Sequence, residues 1–346
     1  MLLSMTACTE REEAANPEET VSVRFRIGTV LPGTSAATAE EMAVNSLQIM
    51  VFDAQDSTIV DYKSIDDLSQ PPSLRIEKNR ARIVYAAANI PDDFSDVSSI
   101  ADLHSRTVSY RNEAVGNFQM MGHVNVCVTS DVTVSLPLRR FVAKITLHGY
   151  RIRLSCLRNS VPDMKRVALL AIPKACYCDF SEYTGSYYNL FEGMTEENMP
   201  TAEIKNPPDH IDEYGFLINE QSLVFYGYPN SVQTYGNNKY PRVALVCIGE
   251  YHNSGSSVSR YCYHLLGLSL PPLESNLEYR ILQVTSAAYG EEIEITPGEH
   301  PVSEGDWKPR LSNAVLGYIE VRDMSTGLIR EIYPIKEVSY REEDIE

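Results

Sequence analysis

Apolar and polar residues alternate without a fault over residues 21–27. Val21, Val23, Phe25 and Ile27 fall on one side, Ser22, Arg24 and Arg26 on the other, the period of a strand with one buried face. Gly28 closes the run. Residues 29–40, small, polar and carrying Pro32 and Gly33, predict a loop. Further strands are expected at 47–53, 82–89 and 118–128, the first stopped by the turn-like residues 54–57 and the second by Pro91. Residues 98–105 have the spacing of a short helix with Ile100 and Leu103 inward and Ser and Asp at its start.

The middle of the chain, residues 132–147, holds two strands back to back. Val132, Val134, Leu136 and Leu138 share one side, with Thr133 and Ser135 on the other. Pro137 cannot donate to a ladder and points to an edge position or a bulge. After Arg139 and Arg140 a second apolar run covers 141–147, so one strand closes a first domain and the next opens a second. Beyond it, strands are expected at 166–172, 175–180, 223–228, 242–251, 259–266 and 276–284. The pair 242–251 and 259–266 reads as a hairpin across a glycine-bearing loop. A long irregular insert occupies 181–221. Residues 314–321 and 328–335 flank a turn sequence at 322–327, a hairpin that either completes the second sheet or serves as a donor segment; the end, 341–346, reads as frayed. The domains are therefore 1–20 (a tether), 21–139, 140–310 and a tail at 311–346.

Composition narrows the function more than it names one. At 346 residues, two domains of ordinary size are expected. A formal net charge of −17 disfavours nucleic acid, which requires a basic face. No apolar run reaches the roughly twenty residues of a membrane-spanning helix. No phosphate-binding glycine loop, H-E-x-x-H or paired C-x-x-C occurs, so no catalytic residue, metal site or cofactor is expected. Cys176 and Cys178 would share a strand face, and most cysteines sit among apolar neighbours as core filling. His252 and His264 lie on neighbouring hairpin strands and read as solvated. Tyrosines at 183–188 could stack on sugar, or simply half-bury on strands.

The first eight residues end in Ala7-Cys8 after a short apolar stretch. This resembles a bacterial lipobox, in which the cysteine becomes diacylated, and two acyl chains suffice for stable membrane attachment. Only seven residues precede Cys8 and none is basic, which suggests a start codon assigned too far downstream. Residues 9–20 read as a tether.

Leu138, Arg140, Ala143, Lys144 and Ile145 spell L-x-R-x-x-A-K-I. Ahead of it stand the alternating strand at 21–27, an I-x-V-F-D strand at 49–53 and a Y-A-A-A-N strand at 85–89. After it come an N-x-x-Y-x-I-x-x-V strand at 276–284 and the aromatic Trp307. In this order the motifs resemble the fimbrillin family, pilus subunits of Bacteroides- and Porphyromonas-type bacteria. The resemblance implies an all-β chain of two consecutive transthyretin-like β-sandwich domains with short helical insertions. It implies a structural subunit of a cell-surface pilus supporting adhesion, exported as a lipoprotein to the outer membrane and assembled by strand exchange with other fimbrial subunits. Val21, Val23, Phe25 and Ile27 would then line the acceptor position, and Val315, Ile319, Val321, Ile329, Ile332 and Ile335 would form a donor strand. The family's processing cut follows a basic residue in the loop after the first strand, but 28–40 holds no Arg or Lys, which leaves Arg24 and Arg26 as the processing positions, another protease, or no cut. The alternatives are a fimbrial anchor or tip protein, or a non-polymerising surface lipoprotein that binds host or bacterial glycans.

Overall fold

The computed structural model describes residues 20–28, 37–154, 163–170, 172–185, 187–188, 201–203, 216–231, 244–252, 259–266, 271–288 and 314–334. These fall into two compact units. The first lies within 1–108, 112–140 and 177–179, the second within 109–111, 141–176 and 180–346.

In the first half the strands are β1 (Thr20–Gly28), β2 (Leu47–Asp53), β3 (Ile59–Ile65), β4 (Ser73–Glu77), β5 (Ala81–Ala88), β6 (Thr107–Ser109), β7 (Met120–Cys127), β8 (Val132–Pro137) and β9 (Arg139–Arg140). An α-helix, α1, covers Ile100–Ser105; the Ser99 side chain caps it by accepting from the Asp102 amide, and Leu103 is its buried residue. Strands β4-β1-β8 form a three-stranded sheet, and β3-β2-β5-β7-β9 a five-stranded one. One continuous apolar core joins them. Val21, Val23, Phe25, Leu74, Ile76 and Leu136 come from the small sheet, and Leu47, Ile49, Val51, Val84, Ala86 and Met120 from the large one.

Several expectations need correction here. Strands β3 and β4 were not expected. β3 is an edge strand with no clean alternation, and β4 shows only Leu74 and Ile76 on its buried side. The stretch 132–138 is not one strand with four equivalent apolar positions. Val132 is exposed, Val134 half-buried, and Leu136 and Leu138 buried, because the chain leaves the small sheet at Leu138 and joins the large one as β9. Gly122 on β7 makes that crossing feasible: a Cβ there would lie 1.8 Å from the Pro137 carbonyl oxygen.

In the second half the strands are β10 (Ala143–Leu154), β11 (Asp163–Leu170), β12 (Ile172–Pro173), β13 (Ala175–Tyr177), β14 (Tyr187–Tyr188), β15 (Thr201–Glu203), β16 (Phe216–Gly227), β17 (Ala244–His252), β18 (Ser259–Leu266), β19 (Leu277–Ala288), β20 (Ala314–Asp323) and β21 (Ile329–Pro334). They form a five-stranded sheet, β16-β10-β19-β20-β21, and a four-stranded one, β15-β11-β17-β18. The 175–180 strand stops at Tyr177, so Cys178 lies in a turn and does not share a strand face with Cys176, although both are buried. The insert at 181–221 is not irregular throughout, since β14, β15 and the first half of β16 lie in it. β17 and β18 pair as the expected hairpin. Its register sets His252 opposite Ser259 and His264 opposite Cys247, on separate rungs.

The five-stranded sheet of the second unit is ordered on both faces. Ile145, Leu147, Tyr279, Ile281, Ile319 and Val321 bury one side. On the other, Lys144 lies 3.9 Å from Glu278, Thr146 donates to Glu278 at 3.2 Å, and Arg280 and Arg322 both pair with Glu320. The hydrogen bond from Arg322, with Arg280 beside it, holds the Glu320 carboxyl below the usual carboxylate range.

Candidate assembly site

Strand β1 sits in the middle of the small sheet. It runs antiparallel to β4, with Thr20–Arg24 opposite Glu77–Ser73, and parallel to β8, with Val23–Gly28 opposite Val132–Pro137. Only Val23 and Arg24 are matched on both sides; the two partners are staggered along it. Further bonds fix the register. The Phe25 amide donates to the Pro72 carbonyl at 2.8 Å, the Leu138 amide to the Gly28 carbonyl at 3.1 Å, and the Ser22 amide to Asp131 Oδ1 at 2.9 Å. Val23 and Phe25 are wholly buried and Val21 nearly so; Ile27 packs partly buried against the same core. Arg24 and Arg26 are exposed. Pro137, which the sequence marks as an edge residue, ends β8 on the outer edge of this sheet.

Without β1 the sheet would be a slot. Two strands would face each other across a gap with unpaired backbone groups on both walls and a floor shaped for Val21, Val23 and Phe25. Burying those three side chains contributes about 1.5–3 kcal/mol each, so on the order of 5–9 kcal/mol gross. Any strand of the same apolar period and length could supply it.

Other residues hold the walls of the slot. Arg82 on β5 is almost fully buried. Its guanidinium pairs with Asp53 at the end of β2 and with Glu77 at the end of β4, the latter at 3.0 Å. The antiparallel wall is thereby tied to the other sheet. Two residues of the motifs fix the segment after the loop. Asn89 takes a left-handed backbone, φ 59°, which asparagine tolerates and alanine does not. Its Nδ2 donates to the Ala43 and Phe118 carbonyls, while its Oδ1 accepts from the Asn45 and Ser46 amides. Fully buried Arg140 donates from Nε to the Glu41 carbonyl at 2.7 Å. Hydrophobic patterning had Arg139 and Arg140 as a break between strands. The signal for Arg140 was the motif, and hydropathy would have placed it outside.

At the other end of the chain, β20 lies inside its sheet between β19 and β21, with Ile319 and Val321 buried. Of the two readings of the hairpin, the structure therefore has it as part of the second unit's sheet and not as a segment added after it. Ile329 and Ile332 on β21 are exposed. The side chain of Val315, and Cys8, residues 29–36, Trp307 and Ile335 altogether, lie outside the described residues. Among the described residues no helix is long and apolar enough to cross a membrane.

The similarity to known proteins takes in the small sheet together with most of the first unit's five-stranded one. Residues 20–138, from the first residue of β1 to the residue after β8, match the sequence model of the major fimbrial subunit protein (FimA) family. Over this span the chain is similar to that family. No curated protein matches the chain in sequence. Among solved structures, the fold of the whole chain resembles two that are each called a "putative cell adhesion protein". The one from Bacteroides eggerthii is 14% identical with a TM-score of 0.58, the match covering 88% of this chain and 96% of that one. The one from Parabacteroides distasonis is 15% identical with a TM-score of 0.53, covering 93% and 98%. At such identities the likeness is one of fold, all-β and layered.

Proposed function

We propose that this chain is a structural subunit of a cell-surface pilus, exported as a lipoprotein through Cys8 to the outer membrane and assembled by strand exchange. The observation that carries the reading is that the fimbrial match spans one complete slot: β1 together with both of its walls. In assembly β1 leaves, and a terminal strand of a neighbouring subunit pairs with β4 and β8 while filling the places of Val21, Val23 and Phe25. The C-terminal hairpin, with Val315, Ile319, Val321, Ile329, Ile332 and Ile335, is the donor candidate, and its donation requires β20 to leave two neighbours. Surface ligands reached by the finished fibre would make it adhesive.

A second reading, a fimbrial anchor that keeps β1, is favoured by a specific observation. Arg24 is paired on both sides and Arg26 on one, within a strand, while 28–40 has no basic residue. A protease that cuts after Arg to release β1 finds no basic residue between Gly28 and Glu40, and would have to unfold β1 to reach Arg24 or Arg26.

The deciding experiment is made in the bacterium on the surface-exposed protein. A subunit that accepts a strand yields SDS-resistant ladders in which each chain begins at residue 25 or beyond. Chains that begin at Cys8, carry palmitate lost in Cys8→Ala, and cap ladders of other subunits support the anchor. A monomeric chain with β1 retained and no association with any fibre overturns both and points to the glycan-binding alternative.

A further inference from the structure

Strand β21 forms an edge: β20 is its one neighbour among the described residues. Leu328, just before it, and Ile332 within it are the two most exposed large apolar residues among those described, at 68% and 60%, and Ile329 of the same strand is exposed at 48%. Such an edge is a template for strand pairing unless it is blunted.

Residues three apart in a regular strand point to opposite faces. Here the register with β20 shifts. Glu331 lies opposite Val321 but Ile329 lies opposite Arg322, so β21 carries one extra residue. In consequence Ile332, opposite Glu320, and Ile329, opposite Arg322, stand on the same face of the sheet.

The order Leu328-Ile329-Arg330-Glu331-Ile332-Tyr333 is complementary to itself when read in the opposite direction. Ile329 meets Ile332, Arg330 meets Glu331, and Leu328 meets Tyr333. A two-fold axis normal to the sheet, passing between Arg330 and Glu331, brings like faces of two strands together. That condition would fail for Ile329 and Ile332 in a regular strand, and the bulge satisfies it. Opposite charges directly across an antiparallel pair are favourable and like charges unfavourable. In the single chain Arg330 donates to Asp323 at 2.5 Å, and an opposing copy offers it a second carboxylate.

We propose that β21 pairs antiparallel with the β21 of a second copy of this chain, joining two five-stranded sheets edge to edge. The interface requires the hairpin to stay in its own sheet, so it does not rest on the pilus reading. The test is sedimentation of the full-length chain over a concentration series, with thermal unfolding as the control that each variant folds. The wild type sediments as a dimer. Ile332→Lys raises the dissociation constant by at least about tenfold. Glu331→Arg, which sets two arginines against each other at both crossings, does the same. The double variant Arg330→Glu with Glu331→Arg restores the opposite pairing and with it the dimer. A wild-type chain monomeric at every concentration, a dimer unmoved by Glu331→Arg, or a double variant that stays monomeric would each overturn the proposal.

Discussion

The sheet around β1 and the sheet around β19 and β20 are held in different ways. In the first, one face does the holding: Val21, Val23 and Phe25 are buried, while outward-facing Arg24 and Arg26 are exposed and make no ion pair among the described residues. In the second, both faces are specified, one by apolar side chains and the other by Lys144, Glu278, Arg280, Glu320 and Arg322 in paired contact across three strands. A strand held by a period of apolar side chains and by backbone bonds can be replaced by another of the same period. One held as well by particular charges cannot, because a substitute would leave carboxylates and guanidinium groups buried without their partners. By this measure β1 is the more readily replaced strand, and β19 and β20 are the harder to remove. It also explains why donation by β20 would cost more than loss of β1.

The largest expected effect comes from attacking the one face that β1 depends on. Phe25→Ala should destabilise the first unit by about 3–5 kcal/mol, the range for deleting a buried aromatic side chain. Ile332→Ala on exposed β21, compared at a concentration where both chains are monomeric, should stay within about 0.5 kcal/mol. Denaturant unfolding of the two variants side by side checks the contrast. A Phe25→Ala chain as stable as wild type would mean that β1 is not held by its core face.

The slot can also be attacked through its wall. Gly122→Ala puts a methyl group where the Pro137 carbonyl already lies. Either β7 or the end of β8 must move, at a cost of about 1–3 kcal/mol or more. Because Pro137 stands opposite Gly28, the loss should be accompanied by faster amide exchange along β1 and β8, leaving the second unit's exchange unchanged. Uniform loosening of both units would break the comparison.

How much of this the sequence could reveal follows from the same contrast. β1 was legible because a strand with one buried face writes its period into seven residues, and the capped helix was legible from Ser99 and Leu103. The antiparallel wall was not. β4 offers only Leu74 and Ile76 after two prolines, too short a run for periodicity to register. The parallel pairing of β1 with β8 was hidden as well, since an alternating pattern states which face is buried but not which neighbour lies beside it. In the second unit the alternation of β19 was visible, but the charged residues between its apolar ones looked like a solvated face. That Glu278 and Glu320 are buried there depends on which strands lie side by side. Asn89 and Arg140 stood out through their motifs alone, and their roles, a left-handed turn and a buried guanidinium, needed coordinates.

The smallest effect lies on the charged face itself. His148 on β10 accepts from Arg280 Nε at Nε2, 3.2 Å away, so its proton resides on Nδ1 and is donated to Ser222 Oγ at 3.1 Å. Burial first, then the neighbouring Arg280 charge, lowers its pKa below the ordinary histidine value. Near pH 7.5 the imidazole is neutral in both folded and unfolded chains and contributes nothing to pH dependence. As pH falls through about 6.5 the unfolded chain takes up a proton that the folded one resists, so stability declines until the folded pKa is passed. Glu320 and Asp323, whose pKa values are also lowered, lose stability only at more acid pH, because above about pH 5 carboxylates remain ionised in both states. Between pH 7.5 and 5 the second unit should therefore soften slightly, and His148→Gln, which cannot titrate, should remove that part of the decline. Thermal unfolding of the two chains at both pH values measures it. An identical decline in the variant would show that the face carries no histidine-dependent contact, and its ordering would then rest on Glu278 and Glu320 with their cations alone.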